Sequence, residues 1–222
     1  MVKAVIFDID GTLIDSVDLH AAAWREALRH FGHDRPFEEV RAQIGKGGDL
    51  LMVALLPEDE VRRRGKEIEE YRLELFRRKY LPRVKPFPMV RELFERIKAD
   101  GKRIALASSA RKQELERYKQ IAGVEDLIDA ETSSDDAEKS KPHPDIFEAA
   151  LGRLQGIEAS GAIAVGDTPY DAQAAGKIGL RTIGLLCGGW PERELREAGC
   201  IAIYADPADL LRRYDQTPLA DG

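Results

Sequence analysis

Short apolar runs alternate with helical segments over most of this chain, and that alternation limits the fold more than any other feature. The runs are Ala4–Phe7, Arg103–Ala107, Ala162–Val165, Thr182–Leu186 and Ile201–Tyr204. They are mostly apolar at successive positions, so each strand would be buried on both faces. A parallel sheet covered by helices on both sides meets that requirement. Met89–Asp100, Lys112–Ala122, Pro144–Leu154 and Asp171–Ile178 have the spacing of the covering helices, and Gly101, Gly123, Gly156 and Gly179 fall near their ends. Glycine is suited to the left-handed residue that closes a helix. The expected fold class is α/β, with a Rossmann-like parallel sheet as its core.

One region interrupts the pattern. Between Val17 and Tyr80 no strand is evident, only helical spacing such as Ala23, Ala27, Leu28 and Phe31, then Ile68, Tyr71, Leu75 and Phe76. The block ends at Leu81-Pro82 and Pro86-Phe87-Pro88. The sequence therefore predicts an α/β core from residues 1–16 and 82–222, with a helical cap of residues 17–81 inserted through two narrow linkers. A chain of 222 residues is long enough for this division.

Composition excludes several alternatives. Hydrophobic residues make up 43% and charged residues 33%, as in an ordinary globular protein. The formal net charge is −6 and basic residues are scattered, which argues against nucleic-acid and membrane-surface partners. The two cysteines, Cys187 and Cys200, form no CxxC pair and read as reduced thiols. The apolar runs are too short to span a bilayer. Met1 leads straight into the first run without a signal-like segment, so a cytoplasmic location is expected.

The opening stretch KAVIFDIDGTLIDS carries the chemistry. Alternate strand residues share a face, so Asp8 and Asp10 are expected to start out on the same side. At the carboxyl end of a central parallel strand they would enter the crevice where such sheets bind ligands. Gly11 permits a tight turn and close backbone approach to an anion. Two adjacent carboxylates repel unless a cation or a shared proton relieves them, and oxygen donors suit Mg²⁺. Capping of the following loop is the structural alternative.

Three more polar groups follow strand-like runs or precede helices. Ser108-Ser109 ends the second run, Gly166-Asp167-Thr168-Pro169-Tyr170-Asp171 ends the third, and Lys141 stands in Ser140-Lys141-Pro142-His143-Pro144. In one parallel sheet these groups converge on a single edge, forming a plausible site for a metal-bound phosphate. Each also has a plainer reading. Ser108 or Ser109 could cap a helix, Lys141 could be a surface lysine, and Asp171 could be a first-turn acid.

The order DxDGT, a strand ending in serine, Lys-Pro, then GDxxxD resembles the four motifs of the haloacid dehalogenase superfamily. The insert directly after the first motif resembles its β-phosphoglucomutase and phosphoglycolate phosphatase branch. The resemblance implies that Asp8 is the nucleophile, forming an aspartyl-phosphate, and that Asp10 is the acid/base. It implies Mg²⁺ as cofactor, held by Asp8, Asp167, Asp171 and the Asp10 main-chain carbonyl, with Asp171 either a ligand or the partner of a bound water. Thr12, Ser108, Ser109 and Lys141 would bind phosphate.

His20 matches a histidine of that branch, and Trp24 shares its helix face. Lys46, in the glycine stretch Gln43–Gly48, and Arg111 are further candidates for the substrate's far end. Arg72, Arg77 and Lys79 read as a solvated helix face. Asp49 departs from the arginine of a β-phosphoglucomutase, and Met89 from a glycine common in the family. The expected activity is Mg²⁺-dependent hydrolysis of a small phosphate ester by a monomer or weak dimer, with a phosphosugar mutase as the alternative. A dehalogenase would need neither Asp10 nor Mg²⁺. Response-regulator receivers are shorter, lack the insert and do not place the phospho-accepting aspartate on the first strand.

Overall fold

The computed structural model describes residues 1–220. The chain begins with β1 (Ala4–Phe7) and the two-residue strand β2 (Ile14–Asp15). Helices α1 (Val17–His30), α2 (Phe37–Arg41), α3 (Gly48–Leu55) and α4 (Glu58–Leu75) follow, and α4 continues into a π-helical turn at Phe76–Tyr80. Strand β3 (Lys85–Pro86) returns antiparallel to β2, with Ile14 opposite Pro86 and Asp15 opposite Lys85. The expected alternation then resumes with α5 (Val90–Ala99), β4 (Arg103–Ala107), α6 (Lys112–Ala122), β5 (Ala130–Thr132) and α7 (Asp145–Arg153). It ends with β6 (Ala162–Gly166), α8 (Pro169–Gly176), β7 (Arg181–Leu185), α9 (Glu192–Glu197), β8 (Cys200–Tyr204) and α10 (Pro207–Arg212).

Six strands form one sheet in the order β5-β4-β1-β6-β7-β8, and every pairing is parallel. Phe7 lies opposite both Leu106 and Val165, so β1, β4 and β6 end at the same edge. Alternation within these strands divides the core. Ala4, Ile6, Ala105, Ala107, Ala162 and Ala164 share a cluster with Ile146 and Phe147 of α7 and Ala174 and Ala175 of α8. The small strand side chains leave room for Phe147. On β1, Phe7 instead meets Phe94 of α5, with ring centroids 4.8 Å apart. Each fully buried side chain of this size contributes roughly 1.5–3 kcal/mol.

The chain divides into two compact units, one of Met1–Asp15 with the residues from Lys85 onward, the other Ser16–Val84. In the second unit, α1 contributes Val17, Ala21, Trp24 and Leu28 to a core with Val40, Leu51, Met52 and Ile68. Arg72 corrects the sequence expectation. It is 9% exposed with its guanidinium 4.8 Å from the Trp24 ring, whereas Arg77 and Lys79 are exposed. The aliphatic stem lets an arginine cover apolar surface that a charge pattern alone does not reveal. Among the described residues, no helix is long and apolar enough to cross a membrane.

Met89, which precedes α5, has φ 63°, in the left-handed region, and is 44% exposed. A side chain in that conformation costs about 1–2 kcal/mol, against an entropy cost of about 0.5–1 kcal/mol for glycine. Met89→Gly is therefore expected to stabilise the protein by up to about 1.5 kcal/mol, measured as a higher urea midpoint at unchanged slope.

Candidate active site

The first functional loop is shaped by its own backbone. β1 ends at Phe7, but Asp8 N still donates to Val165 O at 2.9 Å, which carries the ladder one residue beyond the strand. Ile9 O then accepts from Thr12, Leu13 and Ile14 N–H groups at 3.1, 2.8 and 3.0 Å. Gly11, at φ 85°, supplies the left-handed residue this turn requires. Because the strand stops before Asp8, strand alternation does not extend to Asp10. Asp8 is buried and Asp10 is half-buried.

Asp8, Asp167 and Asp171 each present a carboxylate oxygen within 4.8 Å of the others. Asp8 follows β1, and Asp167 follows the neighbouring β6. Thr12 Oγ1 donates to Asp167 Oδ1 at 2.9 Å and lies 3.3 Å from Asp8 Oδ2. Lys141, 1% exposed, sets its ammonium between Asp8 Oδ1 and Asp171 Oδ1, the latter at 2.8 Å, and donates to Ala107 O at 3.3 Å. The surface-lysine alternative is thereby excluded.

Asp171 has two functions. Its Oδ2 accepts from Thr168 N at 3.0 Å and Thr168 Oγ1 at 2.7 Å, closing a capping box at the start of α8, while Oδ1 faces Lys141. Asp171 is therefore the first-turn acid of α8 and also a member of the cluster around Lys141.

Burial dominates the electrostatics. Desolvation pushes the Asp8 carboxyl up to about 7; the Lys141 charge opposes this shift and Asp171 adds to it. Asp167 is also raised well above the carboxylate range, first by burial and then by Asp171 and Asp8. Burial alone would lower Lys141, but Asp171 and Asp8 more than offset that and keep it firmly charged. When all are ionised, three carboxylates facing one ammonium leave a deficit of two positive charges.

These residues fit a divalent cation. The donor set consists of oxygens, as a hard cation requires, and Asp167 Oδ2 is buried without a hydrogen-bond partner. Asp8 and Asp167 would hold the ion. Asp171 lies within reach, but its two oxygens already face Thr168 and Lys141.

Ser108 is fully buried just beyond β4, and its Oγ accepts from Ala110 N at 3.1 Å. Neither it nor the half-buried Ser109 caps α6, whose N-cap position belongs to the exposed Arg111. His20, Trp24 and Lys46 belong to the Ser16–Val84 unit. There His20 stacks on Phe76 at 4.0 Å and Lys46 donates to Gln43 Oε1 at 2.6 Å. Gly48, at the end of the glycine stretch, already begins α3.

Sequence reading missed Thr168, although its spacing to Asp171 is that of a capping box. It also missed the role of two glycines. A methyl group at Gly166 would lie 2.5 Å from Asp171 Cβ, and one at Gly188 would overlap the Asp167 carboxylate.

The family model for haloacid dehalogenase-like hydrolases matches residues 2–179. The phosphoglycolate phosphatase of Aquifex aeolicus is 30% identical over 218 residues, covering 96% of this chain and 97% of that protein. A phosphorylated carbohydrates phosphatase of Thermotoga maritima is 29% identical over 215 residues, covering 94% and 96%. The crystal structure of a hydrolase from Pseudomonas syringae matches with a TM-score of 0.87 at 28% identity, covering 96% of this chain and 98% of that one. Fold, motif order and relatives agree: the chain belongs to the haloacid dehalogenase-like hydrolases.

Proposed function

We propose that this protein is a Mg²⁺-dependent phosphatase of small phosphorylated metabolites, of the phosphoglycolate or sugar-phosphate kind, working through an aspartyl-phosphate. One observation carries the reading: a buried lysine pinned between two aspartates, with a third carboxylate beside them whose second oxygen has no hydrogen-bond partner. The Aquifex aeolicus and Thermotoga maritima relatives, both phosphatases by name, support it. The protein acts in the cytoplasm as a monomer or weak dimer, on a small molecule rather than a nucleic acid or membrane.

In this mechanism Asp8 attacks phosphorus while the bond to the leaving oxygen breaks, and Asp10 delivers a proton to that oxygen. Water then attacks the aspartyl-phosphate, Asp10 takes its proton, and phosphate leaves. Lys141 keeps positive charge beside Asp8 throughout, in a pocket that excludes water. Thr12, Ser108 and Ser109 hold phosphoryl oxygens, and Thr12 also steadies Asp167. The exposed Arg111 is the candidate on this unit for the remainder of the substrate, whereas Trp24 is committed to the core of the Ser16–Val84 unit. Asp8 and Asp167 would hold Mg²⁺, with Asp171 and the Asp10 main-chain carbonyl as further candidate ligands, and the ion would supply charge that favours ionised Asp8 and offsets that of the phosphoryl group.

A panel of phosphate monoesters assayed for phosphate release tests this reading. Turnover is expected with Mg²⁺, and its loss after chelation, with recovery when Mg²⁺ is restored. Unchanged turnover in chelator would reject the cofactor assignment. Isomerisation of a hexose phosphate that needs a bisphosphate and releases no phosphate would instead identify a mutase.

A further inference from the structure

We propose that Cys187 and Gly188 form a clasp that positions the metal site, the thiol tethering the loop after β1 and the glycine seating the Asp167 carboxylate. The inference rests on the reading that Asp8 and Asp167 hold a divalent cation.

Three observations meet at this dipeptide. After β7 the chain makes a tight turn, closed by Gly189 N donating to Leu186 O at 2.9 Å, with Gly189 at φ 87°. Leu186 N donates to Tyr204 O at 3.0 Å, which anchors the turn to β8. The turn brings Cys187 Sγ to 3.1 Å from Gly11 O, the left-handed residue between Asp10 and Thr12. It also lays Gly188 against Asp167 so closely that a methyl group there would overlap the carboxylate and lie 2.7 Å from Asp167 Cβ.

The two Asp167 oxygens are fixed differently. Oδ1 accepts from Thr12, whereas Oδ2 has no hydrogen-bond partner. Its direction is therefore set by the surface it touches, and Gly188 supplies that surface. A side chain at 188 would have to displace the Asp167 oxygen that is left available to a cation. Cys187 acts on the opposite loop, since an S–H···O contact to the Gly11 carbonyl ties down the segment bearing Asp10 and Thr12. Neither residue touches the reacting atoms, so both are positioning residues. Groups that orient metal ligands from behind typically alter metal affinity by about 10–100-fold when changed.

Mn²⁺, which suits carboxylate donors, can serve as a direct probe, with the free ion counted by electron paramagnetic resonance. The wild type, Gly188→Ala, Cys187→Ala and Cys187→Ser are compared without substrate. Gly188→Ala is expected to weaken Mn²⁺ binding at least about tenfold. Cys187→Ala should weaken it severalfold, while Cys187→Ser, which keeps a donor, stays near wild type. Melting temperatures of the metal-free proteins should change little, and much of any lost turnover should return as Mg²⁺ is raised. If Gly188→Ala does not fold, the contrast between the two Cys187 variants decides.

Wild-type binding with unchanged affinity in both Gly188→Ala and Cys187→Ala overturns the clasp alone. Failure of the wild type to bind Mn²⁺ overturns the metal site itself.

Discussion

Asp8→Asn is expected to yield a folded protein whose phosphate release falls on the order of 10⁴-fold or more, as when the attacking group of a covalent mechanism is removed. The amide keeps the shape of the carboxylate but cannot attack phosphorus. Folding should survive because the change replaces one of three crowded, buried carboxyl groups by a neutral amide and so relieves repulsion with Asp171. That gain is set against loss of the charge pairing with Lys141. Steady-state phosphate release and a thermal melt, run on the same preparation, separate the two effects. A folded variant with turnover near wild type would remove Asp8 from the role of nucleophile.

Lys141→Met should have the largest effect on stability. The ammonium is buried, paired with Asp8 and Asp171 and bonded to Ala107 O. Methionine fills similar space but leaves three carboxylates in a dry pocket with no compensating cation. Removing one partner from such a buried set costs about 3–5 kcal/mol. Urea unfolding of the metal-free protein measures this, and added Mg²⁺ should recover part of the loss through its preference for the folded state. Activity should fall too, by on the order of 10²–10³-fold, the usual cost of losing one preorganised charge stabiliser. A loss below about 1 kcal/mol would mean that the Asp8–Lys141–Asp171 cluster carries little charge when no metal is bound.

Much of this molecule could be read from its residues, and the exceptions share a cause. β1, β4 and β6 are buried on both faces, so their apolar runs mark them almost to the residue. β5, which reads Ala-Glu-Thr, is a half-buried edge strand with no such run, and it was missed. Asp8, Ser108 and Asp167 were legible because each follows a strand, where parallel pairing makes separate chain segments converge. Lys141 could be suspected from its motif, but its burial depends on Asp8 and Asp171 being present to receive it. Gly188 and Cys187 carry no local signal. Their significance arises only when a turn after β7 meets loops more than a hundred residues earlier and about twenty residues earlier in the chain. Arg72 was misread because charge alone does not show which side of a highly charged helix meets an aromatic ring.

The antiparallel pairing of Ile14 with Pro86 and Asp15 with Lys85 has a consequence for how such a chain can change. The two ends of the sixty-nine-residue excursion from Ser16 to Val84 are stitched side by side, in the manner of a hairpin whose loop has grown very long. Replacement, enlargement or loss of the excursion would leave β1 and its register with β4 and β6 intact. The excursion is thus free to drift in length and sequence while the sheet that carries the aspartates keeps its alignment, because this four-residue seam holds the two points of departure together.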